Sequence, residues 1–123
     1  MLSILKGIFK RELFALHCAT AGLLNFLITE KKSVLYTIAT TAVFTAGCML
    51  HVSRTEWLLL TGAIASVWVA EMFNTCVEEI LNLVHPTHHP KVKRVKDLAA
   101  GAVLLTALCS AIAAIIIFLP KLV

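Results

Sequence analysis

The stretch LAAGAVLLTALCSAIAAIIIFLP, residues 98–120, decides the fold class of this chain. It runs for 23 residues without a lysine, arginine, aspartate or glutamate. A helix needs about 20 such residues to cross the hydrocarbon core of a bilayer. Backbone groups in that core must find partners within the segment, which favours an α-helix. The stretch therefore predicts a transmembrane helix near 98–119.

Two further apolar runs support the same fold class. Residues 33–53 contain no lysine, arginine, aspartate or glutamate, and Glu71 is the one such residue in 57–77. They predict spans near 33–52 and 57–77. The apolar fraction is 59% and the mean hydropathy is +0.90, too high for a water-soluble domain of 123 residues. We expect an all-α membrane protein with one domain over 1–123.

The N-terminal segment 1–29 has a different pattern. Lys6, Lys10 and His17 share one helical face, which predicts an amphipathic helix lying in the membrane interface. A fourth span is the alternative. Glu12 interrupts the apolar stretch and no Ala-x-Ala site follows, so we do not expect a cleaved signal peptide. The apolar residues that lie roughly opposite the face of Lys6, Lys10 and His17 are Leu5, Phe9, Leu16, Leu23 and Leu27.

Basic residues predict the orientation in a bacterial inner membrane. They concentrate before the first span and between the second and third, whereas the first loop has only Arg54 and the C-terminus only Lys121. The positive-inside rule then places the N-terminus in the cytoplasm. The net charge is +4, but aromatic residues are sparse. Anionic headgroups or phosphorylated small molecules are therefore expected as partners, and nucleic acid is not.

Cysteines and histidines do not form a recognisable metal site. Cys18, Cys48, Cys76 and Cys109 lie apart in apolar stretches without a CxxC, which predicts buried free thiols. The stretch HPTHHP, residues 85–90, has two prolines that mark a turn.

A polar stripe interrupts the second span. Glu71, Asn74 and Glu78 fall at i, i+3 and i+7, so they share one helical face. Carboxylates at membrane depth are costly, and an acid there indicates function. The alternative, that both glutamates sit near the cytoplasmic end and reach water, stays open.

Three other polar residues are expected at the same depth. Glu30 ends the N-terminal helix, while Lys96 and Asp97 open the third span. Taken singly, Asp97 could cap a helix and Lys96 could be an anchor. Together with the stripe they suggest a site for Mg²⁺, which takes carboxylate oxygens and bridges phosphates. No GxxxxGK[ST] or glycine-rich kinase loop is present. The residues alone indicate a carboxylate-based, metal-dependent membrane site.

Two stretches resemble signatures of one family. AEMFNTCVE, residues 70–78, resembles the AE-x-x-NTA-x-E signature of the prokaryotic diacylglycerol kinase and undecaprenol kinase family, and KDLAAGAVLL, residues 96–105, resembles its KD-x-AAGAVLL signature. The resemblance implies an ATP- and Mg²⁺-dependent lipid kinase that works as a homotrimer with sites between subunits. The second signature looks closer to the undecaprenol branch. Alternatives are diacylglycerol phosphorylation to phosphatidic acid in phospholipid biosynthesis and, less favoured, a non-catalytic membrane assembly or transporter subunit.

The resemblance also implies roles for individual residues. Glu71 matches the catalytic glutamate that takes the proton of the lipid hydroxyl, and Asn74 matches the asparagine that supports it. Glu30 and Glu78 match the metal-binding pair, which also contacts the nucleotide. Arg11 matches an arginine near both substrate and phosphate. The remaining nucleotide-site positions are Cys18, His89, Lys96 and Asp97.

Four positions depart from the family pattern. Val34 and Tyr36 replace an arginine and a polar residue that usually follow the metal-binding glutamate. Asn82 stands where an aspartate is common, and Cys18 where an aromatic residue can contact the nucleotide. Altered nucleotide contacts or a different lipid are the consequences that the sequence leaves open.

Overall fold

The structure is a computed structural model that describes residues 1–87 and 89–123, with the side chains of 2–4 left out. Within these ranges the chain forms four α-helices and no strand: α1 Leu2–Thr29, α2 Lys31–Met49, α3 Arg54–Val84 and α4 Pro90–Leu122. This confirms the all-α prediction. The helices form two compact units, Met1–Ile38 and Ala39–Val123.

Three helices in the described part of the chain are long and apolar enough to cross a membrane: Leu5–Thr29 within α1, α3 and α4. The number agrees with the three spans expected, and α3 and α4 contain two of them. The expected span near 33–52 falls on α2, which is not among the three because two lysines and several threonines lower its hydropathy. The interfacial placement of α1 and the span at α2 therefore stay predictions.

The N-terminal ends of α3 and α4 lie outside the apolar runs. Ser53 and Glu56 form a capping box at the start of α3: Ser53 Oγ accepts from the Glu56 N–H at 3.4 Å, and Glu56 Oε2 accepts from the Ser53 N–H at 2.7 Å. His89 caps α4, and Pro90 occupies its first turn. Caps are polar by nature, so α3 and α4 begin before the expected boundaries at 57 and 98.

In the second unit, α3 and α4 run antiparallel. Residues near the start of α3 contact residues near the end of α4, and residues near the end of α3 contact residues near the start of α4. Polar contacts along both helices include Glu56–Lys121 at 3.2 Å, the Ala63 carbonyl with Ser110 Oγ at 3.0 Å, and Asn82–Lys96 at 2.7 Å.

The apolar core of this unit lies towards the start of α3. Leu60 is 2% exposed and packs with Val52 and Ile117. The Trp57 ring covers Gly47 of α2, where an added Cβ would lie 2.6 Å from the indole. Glycine at this position lets α2 approach α3 closely.

In the first unit, α1 and α2 are separated at Glu30, whose backbone is extended at φ −84° and ψ 116°. Ser33 is buried, and its Oγ donates to the Leu27 carbonyl at 2.8 Å. This bond satisfies a carbonyl at the end of α1. Glu30 is thereby fixed between two helices.

The outside of α3 and α4 is covered by large apolar side chains, among them Leu58, Phe73, Leu98, Leu105, Ile112 and Ile116. Apolar surface of this extent suits a hydrocarbon environment, and the chain is a membrane protein. The four cysteines are free and exposed. The prediction that they are buried is wrong, because an apolar helix in a bilayer can present a thiol on its outer face.

Candidate active site

The polar stripe of α3 is buried within the protein. Glu71 and Asn74 are each 2% exposed, as little as Leu60 in the apolar core, and Glu78 is half-buried. This burial is inconsistent with the alternative in which Glu71 simply reaches water. An ionisable side chain buried on a helix that is apolar enough to span a membrane indicates a functional site.

The side-chain amide of Asn74 has a hydrogen-bond partner for its nitrogen atom but, among the described residues, none for its oxygen atom. Its Nδ2 donates to Glu78 Oε1 at 3.0 Å. Its Oδ1 is buried, and no hydrogen-bond donor among the described residues reaches it. An unpaired buried acceptor costs about 1–3 kcal/mol. The arrangement is therefore ready to accept a hydrogen bond from a bound ligand.

A cavity of about 240 Å³ lies where the connection between α3 and α4 meets both helices. It brings together three residues predicted at the nucleotide site, His89, Lys96 and Asp97. The other lining residues are Asn82, His85, Pro86, Thr87, Val92 and Lys93.

Hydrogen bonds within the cavity fix several of its side chains. Lys96 Nζ donates to Asn82 Oδ1 at 2.7 Å, and Lys93 pairs with Asp97 one turn away on α4. His89 Nδ1 accepts from the Lys91 backbone N–H at 3.1 Å. That bond leaves Nε2 as the ring nitrogen that carries the proton in the neutral form.

The buried stripe and the cavity lie along the same face of α3. Asn82 follows Glu78 by four residues and Glu71 by eleven, so at 100° per residue all three point in similar directions. At 1.5 Å per residue, Glu71 and Asn82 are separated by about 16 Å along the helix axis. One helix thus carries both the buried carboxylate and a wall of the cavity.

The remaining predicted site residues belong to the first unit. Arg11 and Cys18 are exposed on α1, while Glu30 is half-buried at its end. Arg11 precedes Glu30 by 19 residues, about 29 Å along a straight helix. Arg11 and Glu30 of the same chain therefore cannot contact the same phosphate group.

Comparison with known proteins assigns the chain to a family. A sequence model of the family described as prokaryotic diacylglycerol kinase matches residues 17–118. The chain belongs to the prokaryotic diacylglycerol kinase family. It is a lipid kinase, a phosphotransferase with an alcohol group as acceptor, as the sequence predicts.

Two relatives of this lipid kinase carry informative names. The chain is 36% identical over 104 residues to a protein named undecaprenol kinase from Bacillus subtilis (strain 168), covering 85% of each chain. It is 32% identical over 111 residues to one named diacylglycerol kinase from Synechocystis sp., covering 89% of this chain and 63% of that protein. The kinase signatures thus occur in a chain that aligns with most of the first relative's length.

The carboxylate oxygen atoms of the stripe are donors of the kind that Mg²⁺ takes. Among the described residues, no group of three or more histidine, cysteine, aspartate or glutamate side chains is placed so that it could hold a metal ion. Mg²⁺ does not need such a group, because in phosphate-transfer sites it binds one or two carboxylates and completes its shell with water and phosphate oxygens. Glu78 could serve as one such carboxylate, and its Oε1 accepts a hydrogen bond from Asn74 Nδ2.

Sequence reasoning missed two polar residues of the cavity, His85 and Thr87. His85 Nδ1 lies 3.0 Å from Thr87 Oγ1, and the His85 and His89 rings are 5.2 Å apart. The two prolines suggested only a turn, although the spacing of Asn82, His85 and His89 across that turn is a usable signal. His88 lies outside the described residues.

Proposed function

We propose that this lipid kinase transfers the γ-phosphoryl group of ATP to undecaprenol. The observation that carries the proposal is the burial of Glu71 on an apolar helix, near Asn74, whose buried Oδ1 has no hydrogen-bond donor in the part of the chain that the structure describes. A lipid alcohol can approach such a helix laterally from the bilayer. A water-soluble substrate would instead have to pass the apolar outer surface of the helices to reach Glu71.

Glu71 and Asn74 act on the lipid hydroxyl in this proposal. The hydroxyl group lies near Glu71, which takes its proton as the lipid oxygen forms a bond to the γ-phosphorus. The bond from the γ-phosphorus to the bridging oxygen breaks, and ADP leaves. Asn74 supports Glu71 and keeps Glu78 oriented. Phosphoryl transfer needs mainly positioning and charge stabilisation, which a fixed set of side chains on one helix supplies.

The cavity beside α3 is the proposed nucleotide site. His89, Lys96 and Asp97 line it, and Lys96 offers a positive charge to the phosphates. Arg11, Cys18 and Glu30 complete the nucleotide contacts in the proposal, with Arg11 also near the lipid. Glu30 and Glu78 would hold Mg²⁺, which when bound neutralises phosphate charge and bridges the phosphate oxygens to the protein.

Undecaprenol is favoured over diacylglycerol as the acceptor. The relative named undecaprenol kinase is more similar and covers 85% of both chains, whereas the chain spans 63% of the relative named diacylglycerol kinase. The stretch 96–105 also resembles the undecaprenol branch. Diacylglycerol is the second candidate, and membership of a kinase family disfavours a non-catalytic assembly.

We further propose a homotrimer in the bacterial inner membrane, with a cytoplasmic N-terminus and α1 in the interface. The separation of Arg11 and Glu30 by about 29 Å along a helix supports a site built from more than one subunit. The basic residues around the α3–α4 connection support its cytoplasmic location, where ATP is available.

The test uses the purified protein in detergent micelles with γ-³²P-labelled ATP. Undecaprenol and diacylglycerol are supplied at the same mole fraction, each with Mg²⁺ and with a chelator. We expect Mg²⁺-dependent label on undecaprenol at a higher initial rate. Label on diacylglycerol alone would refute the choice of lipid, and no labelled lipid under any condition would refute the proposed reaction.

A further inference from the structure

We infer that Asn82 is a positioning residue, which holds the ammonium group of Lys96 in the cavity while leaving its charge uncompensated. The identity of the ligand rests on the proposed function, since the cavity is taken as the nucleotide site. The contact itself is a hydrogen bond of 2.7 Å from Lys96 Nζ to Asn82 Oδ1, between α4 and α3.

The position of Lys96 depends on a partner from another helix. A lysine head group sits on a flexible stem with four carbons and samples many rotamers when unpaired. Lys96 is half-buried, and Asn82 reaches it from across the α3–α4 connection. The bond therefore selects rotamers in which the ammonium group faces the cavity that both residues line.

The two lysines of the cavity differ in the charge of their partners. Lys93 pairs with the carboxylate of Asp97, which compensates its charge. Lys96 is held by a neutral amide. No carboxylate among the described residues forms an ion pair with Lys96, so anions entering the cavity meet its positive charge. An aspartate at position 82 would also orient Lys96 but would compensate the charge.

The inference predicts opposite behaviour for phosphate-bearing and phosphate-free ligands. Asn82→Asp should weaken ATP binding roughly fivefold, the effect of one unit charge about 4 Å away in water. Adenosine binding should stay within twofold, because adenosine has no phosphate for Lys96 to attract. Asn82→Gln keeps an amide and should recover most of the ATP affinity.

The primary measurement is equilibrium binding of ATP and of adenosine to the full-length protein in detergent, without lipid. This readout does not depend on lipid turnover, so it stands even if no lipid is phosphorylated. With an active enzyme, the KM for ATP should rise roughly fivefold in Asn82→Asp, while kcat at saturating ATP should stay within twofold. Equal losses of ATP and adenosine affinity would overturn the inference.

A double-mutant comparison tests whether Asn82 acts through Lys96. In a Lys96→Gln background the Asn82→Ala change, which removes the bond without adding a charge, should alter ATP affinity less than it does in the wild type, because that bond is already gone. The same fold-change in both backgrounds would overturn the inference. If Lys96→Gln removes measurable ATP binding, the comparison of ATP with adenosine in the single variants decides.

Discussion

The Nδ2 group of Asn74 donates to Glu78 Oε1 at 3.0 Å, one turn further along α3. This bond joins a residue predicted to support catalysis to one predicted to bind metal. It also determines the direction of the Asn74 carbonyl oxygen, which is buried without a partner among the described residues. One hydrogen bond thus orients both Asn74, which is proposed to support catalysis, and Glu78, which is proposed to bind metal.

Replacing Asn74 by alanine should lower kcat for lipid phosphorylation about 10- to 100-fold, the usual effect of losing a group that orients a metal ligand. The variant loses both the bond to Glu78 and the free acceptor. The measurement is the initial rate at saturating ATP and lipid. Asn82→Ala is the matched control, since it should change the KM for ATP and leave kcat within twofold. A kcat for Asn74→Ala within twofold of wild type would refute the role of Asn74.

Gly47→Ala should destabilise the protein by about 1–3 kcal/mol, as overpacking usually does. The new methyl group would lie 2.6 Å from the Trp57 indole. The ring cannot move away freely, because it packs on the core and lies 5.2 Å from the Phe44 ring. Thermal unfolding in detergent, followed by tryptophan fluorescence, measures the effect.

Gly62→Ala is the control for that experiment. An added Cβ at Gly62 meets no atom within 4 Å, and alanine favours helix over glycine by about 1 kcal/mol. Its melting temperature should equal or exceed that of the wild type. If Gly47→Ala and Gly62→Ala behave alike, the close contact of α2 with Trp57 is wrong.

Ser53→Ala should cost about 1 kcal/mol, because it removes the N-cap of α3. Ser53 Oγ accepts the Glu56 N–H, and the loss leaves that donor without its cap. Ser66→Ala is the control, since Ser66 Oγ bonds only to the Ala63 carbonyl of its own helix. Melting temperatures of the two variants, compared with wild type, should fall for Ser53→Ala and remain nearly unchanged for Ser66→Ala.

The helical class could be predicted from the sequence because long apolar runs leave few alternatives in a bilayer. The boundaries could not, since Ser53 and His89 are polar caps that lie outside those runs. The sequence does not decide whether α1 or α2 is the first span, because lysines and threonines lower the hydropathy of α2 below that of its neighbours. Hydropathy alone does not separate an interfacial helix from a spanning one.

The site could be predicted in part. Periodicity placed Glu71, Asn74 and Glu78 on one face, and the structure adds the hydrogen bond from Asn74 to Glu78. The cavity could not be predicted from spacing, because Asn82 and Lys96 are 14 residues apart and meet only when α3 and α4 pack. The roles of these residues in the reaction stay predictions.

The initial rate of phosphoryl transfer from γ-³²P-labelled ATP to undecaprenol in Glu71→Gln tests the central claim most directly. Glu79→Gln, an exposed position on the same helix, is the matched control and should retain wild-type activity. The account predicts that Glu71→Gln reduces the rate at least 100-fold, as loss of a general base typically does, while the protein keeps its melting temperature. A rate near that of the wild type would contradict the assignment of Glu71 and the site built around it.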